Sequence, residues 1–256
     1  MKLTEKNYFS KEANEQYISV SQFKAFDKCP ASAMAELKGE FSREKTTALL
    51  VGSYVDSYFE GTLEKFKAEN PDIFKRDGTL KADYVQAESI IQRIEQDKLF
   101  TEFMSGGKQI IMTGTICDVA VKIKIDCLHD DKIVDLKSMK DFEEVWTPDV
   151  GKIPWFEAWG YDIQGAVYPE IVRQNTAKTL PFYLAAATKE KTPDIDIVHI
   201  NQKHLDFALE QFKQKVEMFD ATKKGIIEPD RCEKCEYCKN TKVLTEPTDS
   251  TEFYLI

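Results

Sequence analysis

The residues best suited to chemistry lie in one short stretch near the middle of the chain, where carboxylates and a lysine are closely spaced. Asp126 precedes a turn sequence at residues 129–131, and Asp135 and Lys137 follow that turn. Side chains alternate between the two faces of a β-strand, so Asp135 and Lys137 would share one face while Leu136 points to the other. Two strands joined by the turn would therefore bring two acids and an amine to one surface.

Such a surface would suit metal-assisted hydrolysis of a phosphodiester. Carboxylates bind Mg²⁺ or Mn²⁺, the ion activates water and polarises the phosphate, and a lysine stabilises the charge that develops. An Asp-x-Lys sequence also occurs in ordinary strands, where it forms a cross-strand ion pair on an exposed face. Taken alone, the stretch favours this second interpretation, so a catalytic role depends on the other elements of the chain.

A helix predicted over residues 155–174 carries a stripe of polar and aromatic side chains. Glu157, Tyr161, Gln164 and Tyr168 follow one another at spacings of four, three and four, which places them along one helical face. The simpler interpretation is an amphipathic helix whose tyrosines pack in the core, and it suits Tyr161 well. The spacing alone leaves the role of the stripe open.

Six cysteines in a chain of 256 residues do not make a disulfide scaffold. Cys232, Cys235 and Cys238 are separated by two residues each, a spacing that lets three thiolates surround one centre, as in zinc knuckles and iron–sulfur sites. These three residues leave one ligand position open. Cys117 and Cys127 lie in predicted strands and are expected to be ordinary buried thiols.

The order of the acids and the lysine resembles the PD-(D/E)XK nuclease superfamily, in which the second acid is followed two positions later by lysine. Asp135-Leu136-Lys137 matches that motif, and Asp126 lies one strand earlier, where the family has its first acid. The resemblance implies that Asp126 and Asp135 bind Mg²⁺ or Mn²⁺ and that the main-chain carbonyl of Leu136 completes the metal shell. It also implies that Lys137 is catalytic.

Two helices extend the resemblance. Gln164-x-x-x-Tyr168 resembles a motif of the RecB-like branch, in which this helix helps to place the DNA or the catalytic groups. A helix predicted over residues 46–60 resembles the one that carries Gly-x-x-x-His in RecB-like and RecE-like exonucleases. Asp56 stands here in place of the histidine, and a carboxylate is a competent ligand for a hard cation. Glu60, one turn later, is either a reserve ligand or part of an ordinary polar stripe.

Cys29 completes the set of candidate thiolate ligands. It lies at the end of a helix predicted over residues 21–29, which Ser21 caps and Pro30 ends. This position resembles the lone N-terminal cysteine that completes a 4Fe-4S cluster in several RecB-like nucleases, where the cluster joins the two ends of the chain. The last spacing of the C-terminal cysteines is shorter than is usual there, so an iron–sulfur cluster and Zn²⁺ both stay open.

The resemblance covers most of the chain and is closest to phage-type RecE-like exodeoxyribonucleases. It implies an α/β fold with a restriction-endonuclease-like core, in which helices flank a central mixed β-sheet. It further implies a Mg²⁺-dependent DNA exonuclease in recombination or DNA repair, working on DNA and beside a single-strand annealing or recombination protein. The alternatives are a non-catalytic DNA-binding or assembly module that retains the fold and the cysteine centre, and a structural domain stapled by zinc.

The elements that must position these residues follow from composition and periodicity. With 42% hydrophobic and 31% charged residues, the chain fits one globular domain over residues 1–256. Apolar spacing predicts strands over residues 109–115, 119–128, 132–137, 182–188 and 195–200, and a last helix over residues 202–224. The predicted parts are a helical region over about 1–107, a sheet core over about 108–200, and a helix with the cysteine cluster over about 201–256.

The charge and the tryptophans bear on partners. A net charge of −9 argues against a protein that coats nucleic acid through bulk charge, so any DNA contact must be local. No apolar run reaches the roughly 18 residues of a membrane span, and no signal peptide is evident, which predicts a cytoplasmic protein without membrane contact. Trp146, Trp155 and Trp159 could stack on bases, although packing in the core is expected.

Overall fold

The structure is a computed structural model that describes residues 1–247 and 249–251. Five of the strands in these residues form a mixed sheet, and two short strands form a separate hairpin. The strands are β1 Gly107–Ile116, β2 Val119–Leu128, β3 Ile133–Met139, β4 Val145–Thr147, β5 Gly151–Ile153, β6 Phe182–Thr188 and β7 Ile195–His199.

Helices cover the sheet and precede and follow it in the chain. They are α1 Lys11–Gln16, α2 Val20–Lys28, α3 Pro30–Lys38, α4 Thr47–Phe59, α5 Leu63–Glu69, α6 Ala82–Glu95, α7 Lys98–Phe103, α8 Trp155–Ala158, α9 Tyr161–Thr176, α10 Gln202–Lys223 and α11 Glu236–Asn240, and Pro71–Ile73 form a 3₁₀ turn. None of the helices in the described part of the chain is long and apolar enough to cross a membrane.

The central sheet has the strand order β1-β2-β3-β6-β7. Strands β1, β2 and β3 form an antiparallel meander, β6 lies parallel to β3, and β7 returns antiparallel to β6. A parallel neighbour needs a crossover, and here the crossover contains α9, which packs on the sheet. The mixed sheet with flanking helices confirms the predicted fold class.

Strand β6 shows how the sheet divides the interior into two cores. Leu184 and Ala186 face the core shared with α2, α9 and α10, whereas Ala185 and Ala187 face the core shared with α4 and α6. All four side chains are buried, because helices cover both faces of this strand. The two cores fix α4 and α9 on opposite faces of the sheet, and these two helices carry the candidate site residues that the strands lack.

The helix predicted over residues 155–174 is divided into α8 and α9. Trp159 follows α8, and Gly160 precedes α9 with a left-handed φ of 62°. A Cβ atom at Gly160 would lie 2.9 Å from Cδ of Lys24. The backbone conformation and the close approach of Lys24 both favour glycine at this position, and the break changes the direction of the residues before it.

Three further expectations differ from the structure. Ser19, not Ser21, caps α2, because its Oγ accepts a hydrogen bond of 3.2 Å from the amide of Gln22. Cys117 is exposed in the turn between β1 and β2 rather than buried in a strand. Trp155 is buried as expected, but Trp146 and Trp159 are 67% and 55% exposed. Residues 248 and 252–256 of the predicted C-terminal part lie outside the described residues.

Two helical glycines test how tightly α9 is packed. A Cβ atom at Gly165 would lie 2.7 Å from Cδ1 of Phe182 and 3.0 Å from Cδ2 of Leu205, whereas at Gly52 the nearest atom is Nζ of Lys189 at 3.7 Å. Gly165→Ala should therefore lower the free energy of unfolding by about 1–3 kcal/mol through overpacking. Gly52→Ala should raise it by about 0.5–1 kcal/mol, because alanine loses less entropy in a helix. Urea unfolding measures both, and equal stabilisation by the two changes would contradict the close packing of α9.

Candidate active site

Two acids face each other where β2 and β3 separate. The two strands pair only at Cys127 with Val134 and at Leu128 with Ile133, so the ladder stops just before Asp126 and Asp135. Oδ2 of Asp126 then accepts a hydrogen bond of 3.0 Å from the amide of Leu136, which a continued ladder would have given to a main-chain carbonyl. The carboxylate of Asp126 thus lies at the opening between the strands, beside Asp135.

Asp135 is almost fully buried and is held from two sides. Its Oδ2 forms an ion pair with Nζ of Lys137, and its Oδ1 accepts a hydrogen bond from Nε2 of Gln164 on α9. Burial raises the pKa of Asp135 to about 7; the Lys137 ammonium opposes this rise, and the Asp126 carboxylate adds to it.

Lys137 connects this buried carboxylate to the surface. Its side chain is 18% exposed, and Nζ lies 5.2 Å from the ring centroid of Tyr161. Burial disfavours the ammonium, but the Asp135 and Asp126 carboxylates outweigh burial and raise the pKa of Lys137 above its ordinary value. Lys137 is therefore a permanent cation at neutral pH, placed between a buried acid and an aromatic face.

Helix α4 supplies the third acid. Asp56 and Glu60 line one pocket together with Asp126 and Leu136. Burial raises the pKa of Asp56 well above its ordinary value, and the nearby Asp126 carboxylate raises it further. Burial also raises the pKa of Glu60. Carboxylates that are costly to ionise in each other's presence would be relieved by a divalent cation, and the oxygen donors in this pocket suit a hard ion such as Mg²⁺ or Mn²⁺.

The helical stripe divides between the site and the scaffold. Gln164 contacts Asp135 as described, whereas the hydroxyl of Tyr168 donates a hydrogen bond of 3.1 Å to the carbonyl of Lys124 on β2. This buried hydrogen bond connects α9 to β2, the strand that carries Asp126. Glu157 lies before the helix break and instead contacts Nδ1 of His204 at 3.5 Å, away from the acids.

Two site residues were not predicted from the sequence. Nε2 of Gln109 donates a hydrogen bond of 3.3 Å to Oδ1 of Asp126. Nζ of Lys24 lies 5.1 Å from the ring centroid of Tyr161 and donates to the carbonyl of Trp159 at 3.0 Å. Burial, reinforced by the charge of Lys137, lowers the pKa of Lys24 to about 8. No spacing in the sequence signals Lys24, because only the packing of α2 beside α9 brings it here.

A groove opens beside this site. It is lined by parts of α2, α10, the β4–β5 hairpin and the junction of α8 with α9, and its cationic residues are Lys24, Lys28, Arg43 and Lys215. Lys215 is paired with Asp27, and Arg43 with Glu36. The exposed ring of Trp159 lies in the same groove, next to Tyr161. The groove thus holds basic, aromatic and acidic groups together, the acids being Asp27, Glu157 and Asp162, and Tyr161 connects it to Lys137.

The four candidate cysteine ligands meet away from these acids. The Sγ atoms of Cys29, Cys232, Cys235 and Cys238 all lie within 4.8 Å of one another. In the part of the chain that the structure describes, this is the only group of three or more candidate ligand atoms gathered so closely. Cys29 lies between α2 and α3, so the tetrad joins the N-terminal helices to the segment that follows α10.

Comparison with known proteins places this geometry in context. Residues 19–241 match a family described as a PDDEXK-like domain of unknown function (DUF3799). The crystal structure of a protein from Eubacterium rectale, named "Putative exonuclease", is 48% identical, with a TM-score of 0.95 over 99% of this chain and 98% of that chain. The structure of SSO0001 is 11% identical, with a TM-score of 0.30 over 80% of this chain and 89% of that chain, which is too distant to carry an argument. No curated protein matches the chain.

The crowded carboxylates should cost stability when no metal is bound. The raised pKa of Asp56 means that the folded state holds its proton more tightly than the unfolded state, so the ionised carboxylate destabilises the fold above its unfolded pKa. Asp56→Asn should raise the Tm of the metal-free protein at pH 8 by about 2–4 °C, the shift that about 1 kcal/mol gives in a domain of this size. The gain should shrink towards pH 4, where the wild-type carboxyl is protonated.

Differential scanning calorimetry in EDTA measures this effect. Asp149→Asn is a matched control, because Asp149 is exposed and lies outside the pocket, and it should leave Tm unchanged. A lower Tm for Asp56→Asn at pH 8 would contradict the view that these carboxylates repel one another.

Proposed function

Because the chain belongs to the family of PDDEXK-like domains, we propose that it is a nuclease that hydrolyses DNA phosphodiesters with Mg²⁺ or Mn²⁺. The observation that carries the proposal is the single pocket lined by Asp56, Glu60, Asp126 and Leu136, with the Asp135–Lys137 pair beside it. A non-catalytic module has no need of several acids that destabilise one another. Their convergence therefore favours hydrolysis over an assembly role.

The proposed roles follow from the contacts of each residue. Asp56, Asp126 and Asp135 would hold the ion with the main-chain carbonyl of Leu136, and Glu60 would be a reserve ligand. When bound, the ion would supply an activated water and polarise the scissile phosphate.

The chain's own residues prepare the remaining steps. Lys137 stays protonated, so it acts by stabilising negative charge on the phosphate or by orienting the attacking water, not as a general base. Gln164 donates to Asp135 and fixes the orientation of that carboxylate. Tyr168 donates to the carbonyl of Lys124 and would act by positioning β2.

The groove beside the pocket supports a local path for one DNA strand. A strand backbone passing Lys24 and Lys28 would reach the acids along Tyr161, and the exposed ring of Trp159 offers a surface on which a base can stack. Binding through this groove agrees with a net charge of −9, because only this face needs to attract phosphate. The similarity to the Eubacterium rectale protein named "Putative exonuclease" supports attack from a DNA end.

A cellular role in recombination or repair goes with the proposed activity. The resemblance to RecE-like enzymes supports a role in phage-type recombination or DNA repair, in the cytoplasm. An enzyme that exposes single strands would act beside a single-strand annealing or recombination protein. These assignments depend on the nuclease activity itself, which is tested first.

Hydrolysis is tested with purified protein, linear double-stranded DNA and Mg²⁺. The wild-type protein should degrade the DNA, and Asp135→Ala should be inactive because a metal ligand is lost. Lys137→Ala should still bind Mn²⁺ by calorimetry while its turnover falls by about 10²–10³-fold, since the lost charge acts on the reacting groups. Lys178→Ala, at an exposed lysine paired with Asp130, is the matched control and should retain full activity.

The results of this experiment distinguish a nuclease from a non-catalytic DNA-binding module. Digestion that persists in Asp135→Ala would refute the assignment of the site. A wild-type protein that binds DNA equally well with EDTA and with Mg²⁺, and digests none, would instead identify a binding module. Covalently closed circular DNA should resist the enzyme if it acts from ends.

Lys24 should give DNA binding a distinctive dependence on pH. Its folded pKa is about 8, so the ammonium is charged below that pH and is progressively lost above it, with Lys28, Lys137, Asp135 and Asp162 as the charged groups that surround it. Affinity for a single-stranded oligonucleotide, measured by fluorescence anisotropy with Ca²⁺ in place of Mg²⁺, should fall between pH 7 and pH 9. Lys24→Arg should flatten this decline, because arginine stays charged.

Lys24→Met separates a phosphate contact from a structural role. At pH 7 it should weaken binding and reduce the slope of log affinity against log salt by about 1, as expected when one phosphate contact is lost. Unchanged salt dependence in Lys24→Met would place the DNA outside this groove.

A further inference from the structure

The cysteine tetrad is separate from the proposed nuclease site, and the sequence leaves a 4Fe-4S cluster and Zn²⁺ both open there. The geometry distinguishes between the two. We propose that Cys29, Cys232, Cys235 and Cys238 bind one tetrahedral Zn²⁺ ion, as a structural site that joins the two ends of the chain. This inference does not depend on the proposed function, since the acids and the thiolates share no residue.

The distances between sulfur atoms distinguish the two centres. Sγ of Cys29 lies 3.6 Å from Sγ of Cys238, Sγ of Cys232 lies 4.0 Å from Sγ of Cys238, and all four lie within 4.8 Å. Four thiolates at 2.3 Å from one zinc ion stand about 3.8 Å apart at the corners of a tetrahedron. In a 4Fe-4S cluster each thiolate binds a different iron on the outside of the cube, which spreads the sulfur atoms beyond these separations.

The backbone around the tetrad also closes on a single point. The amide of Cys235 donates to Sγ of Cys232 at 3.3 Å, and the amide of Cys238 donates to Sγ of Cys235 at 3.5 Å. Such bonds stabilise thiolate charge, and each requires a tight turn of the intervening residues. Glu233 adopts a left-handed φ of 55° in the first of these turns. Two overlapping tight turns form a knuckle around one ion.

Hydrogen bonds that do not involve the sulfur atoms also fix the backbone around the tetrad. The amide of Ala31 donates to the carbonyl of Asp230 at 3.0 Å, which fixes Cys29 against the C-terminal segment. A guanidinium NH2 of Arg231 donates to the carbonyl of Cys238 at 2.7 Å. Cys29 and Cys238 are both buried. To admit four irons and four sulfides, the sulfur atoms would have to move apart from the separations observed here.

A zinc ion here would act on the nuclease site only through the scaffold. It would fix the junction of α2 and α3, and α2 carries Phe23, whose ring stacks on Phe212 of α10 at 4.4 Å, and Lys24, which lies beside Tyr161. Zinc has no redox chemistry, so the centre would hold α2 in place without responding to oxidants through the metal.

The first test is the composition of the full-length protein purified without oxygen. We expect inductively coupled plasma mass spectrometry to find one zinc per chain, and we expect no acid-labile sulfide and no visible absorption. Protein produced in cells grown with Co²⁺ in place of Zn²⁺ should show the intense visible and near-ultraviolet bands of tetrahedral cobalt bound by four thiolates. Both measurements are made on the wild-type chain and do not require that any variant folds.

Variants then locate the ion. Cys235→Ser should reduce zinc retention at least tenfold on dialysis against a chelator, whereas Cys117→Ser, at an exposed cysteine outside the tetrad, should retain one zinc per chain. If Cys235→Ser does not fold, the cobalt spectrum of the wild-type protein still decides the ligand set.

Several results would overturn the proposal. Iron and sulfide at four each per chain, with a brown colour, would establish the cluster, as would uptake of that composition when metal-free protein is given iron and sulfide. One iron without sulfide would contradict zinc. A metal-free protein with disulfides among these cysteines would contradict any metal site. Failure of the nuclease assay would leave the zinc result untouched, because metal content is read without activity.

Discussion

The structure depends on keeping one buried carboxylate, Asp135, ionisable in the interior. An isolated buried carboxylate would take up a proton, so Asp135 needs the Lys137 ammonium on one oxygen and the Gln164 amide on the other. These partners come from two different elements, β3 and α9. The parallel pairing of β3 with β6, and the crossover helix that this pairing requires, therefore determine the electrostatics of the site. A shift of α9 along the sheet would remove Gln164 and leave the carboxylate with one partner.

A further acid, Asp56, comes from a helix on the other face of the sheet. Helix α4 packs in the core with Val134 and Leu136, and this packing brings Asp56 to the place where β2 and β3 separate. The early end of the β2–β3 ladder is as important as the helices, because it frees the Leu136 amide for Asp126 and opens space between the strands. The site is thus built from a gap in the sheet, with one helix closing it from each side.

Those parts of the site that depend on local spacing could be predicted from the sequence. Asp126, Asp135 and Lys137 follow from strand alternation and a short turn, and the match to the PDDEXK-like family confirms the resemblance on which the fold class was predicted. Residues that reach the site through tertiary packing could not be predicted. Lys24 approaches Tyr161 only because α2 packs beside α9, and Gln109 contacts Asp126 across the β1–β2 ladder. The division at Gly160 also escaped prediction, although a glycine inside a helical pattern is itself a sign of a possible break.

The same physical chemistry explains why the acids and the cysteines need not compete for one ion. Oxygen donors in the pocket of Asp56 and Asp126 suit a hard cation that exchanges water and contacts substrate, whereas four thiolates suit a softer ion in a closed tetrahedron. A closed shell leaves no position for water or phosphate, so the thiolate centre has no means of joining the hydrolysis. The thiolate centre would instead act on the structure, because Cys29 lies far in the sequence from the other three cysteines. An ion bound by residues so far apart in the chain would hold α2 against the C-terminal segment, and α2 presents Lys24 to the groove through which we propose that DNA enters.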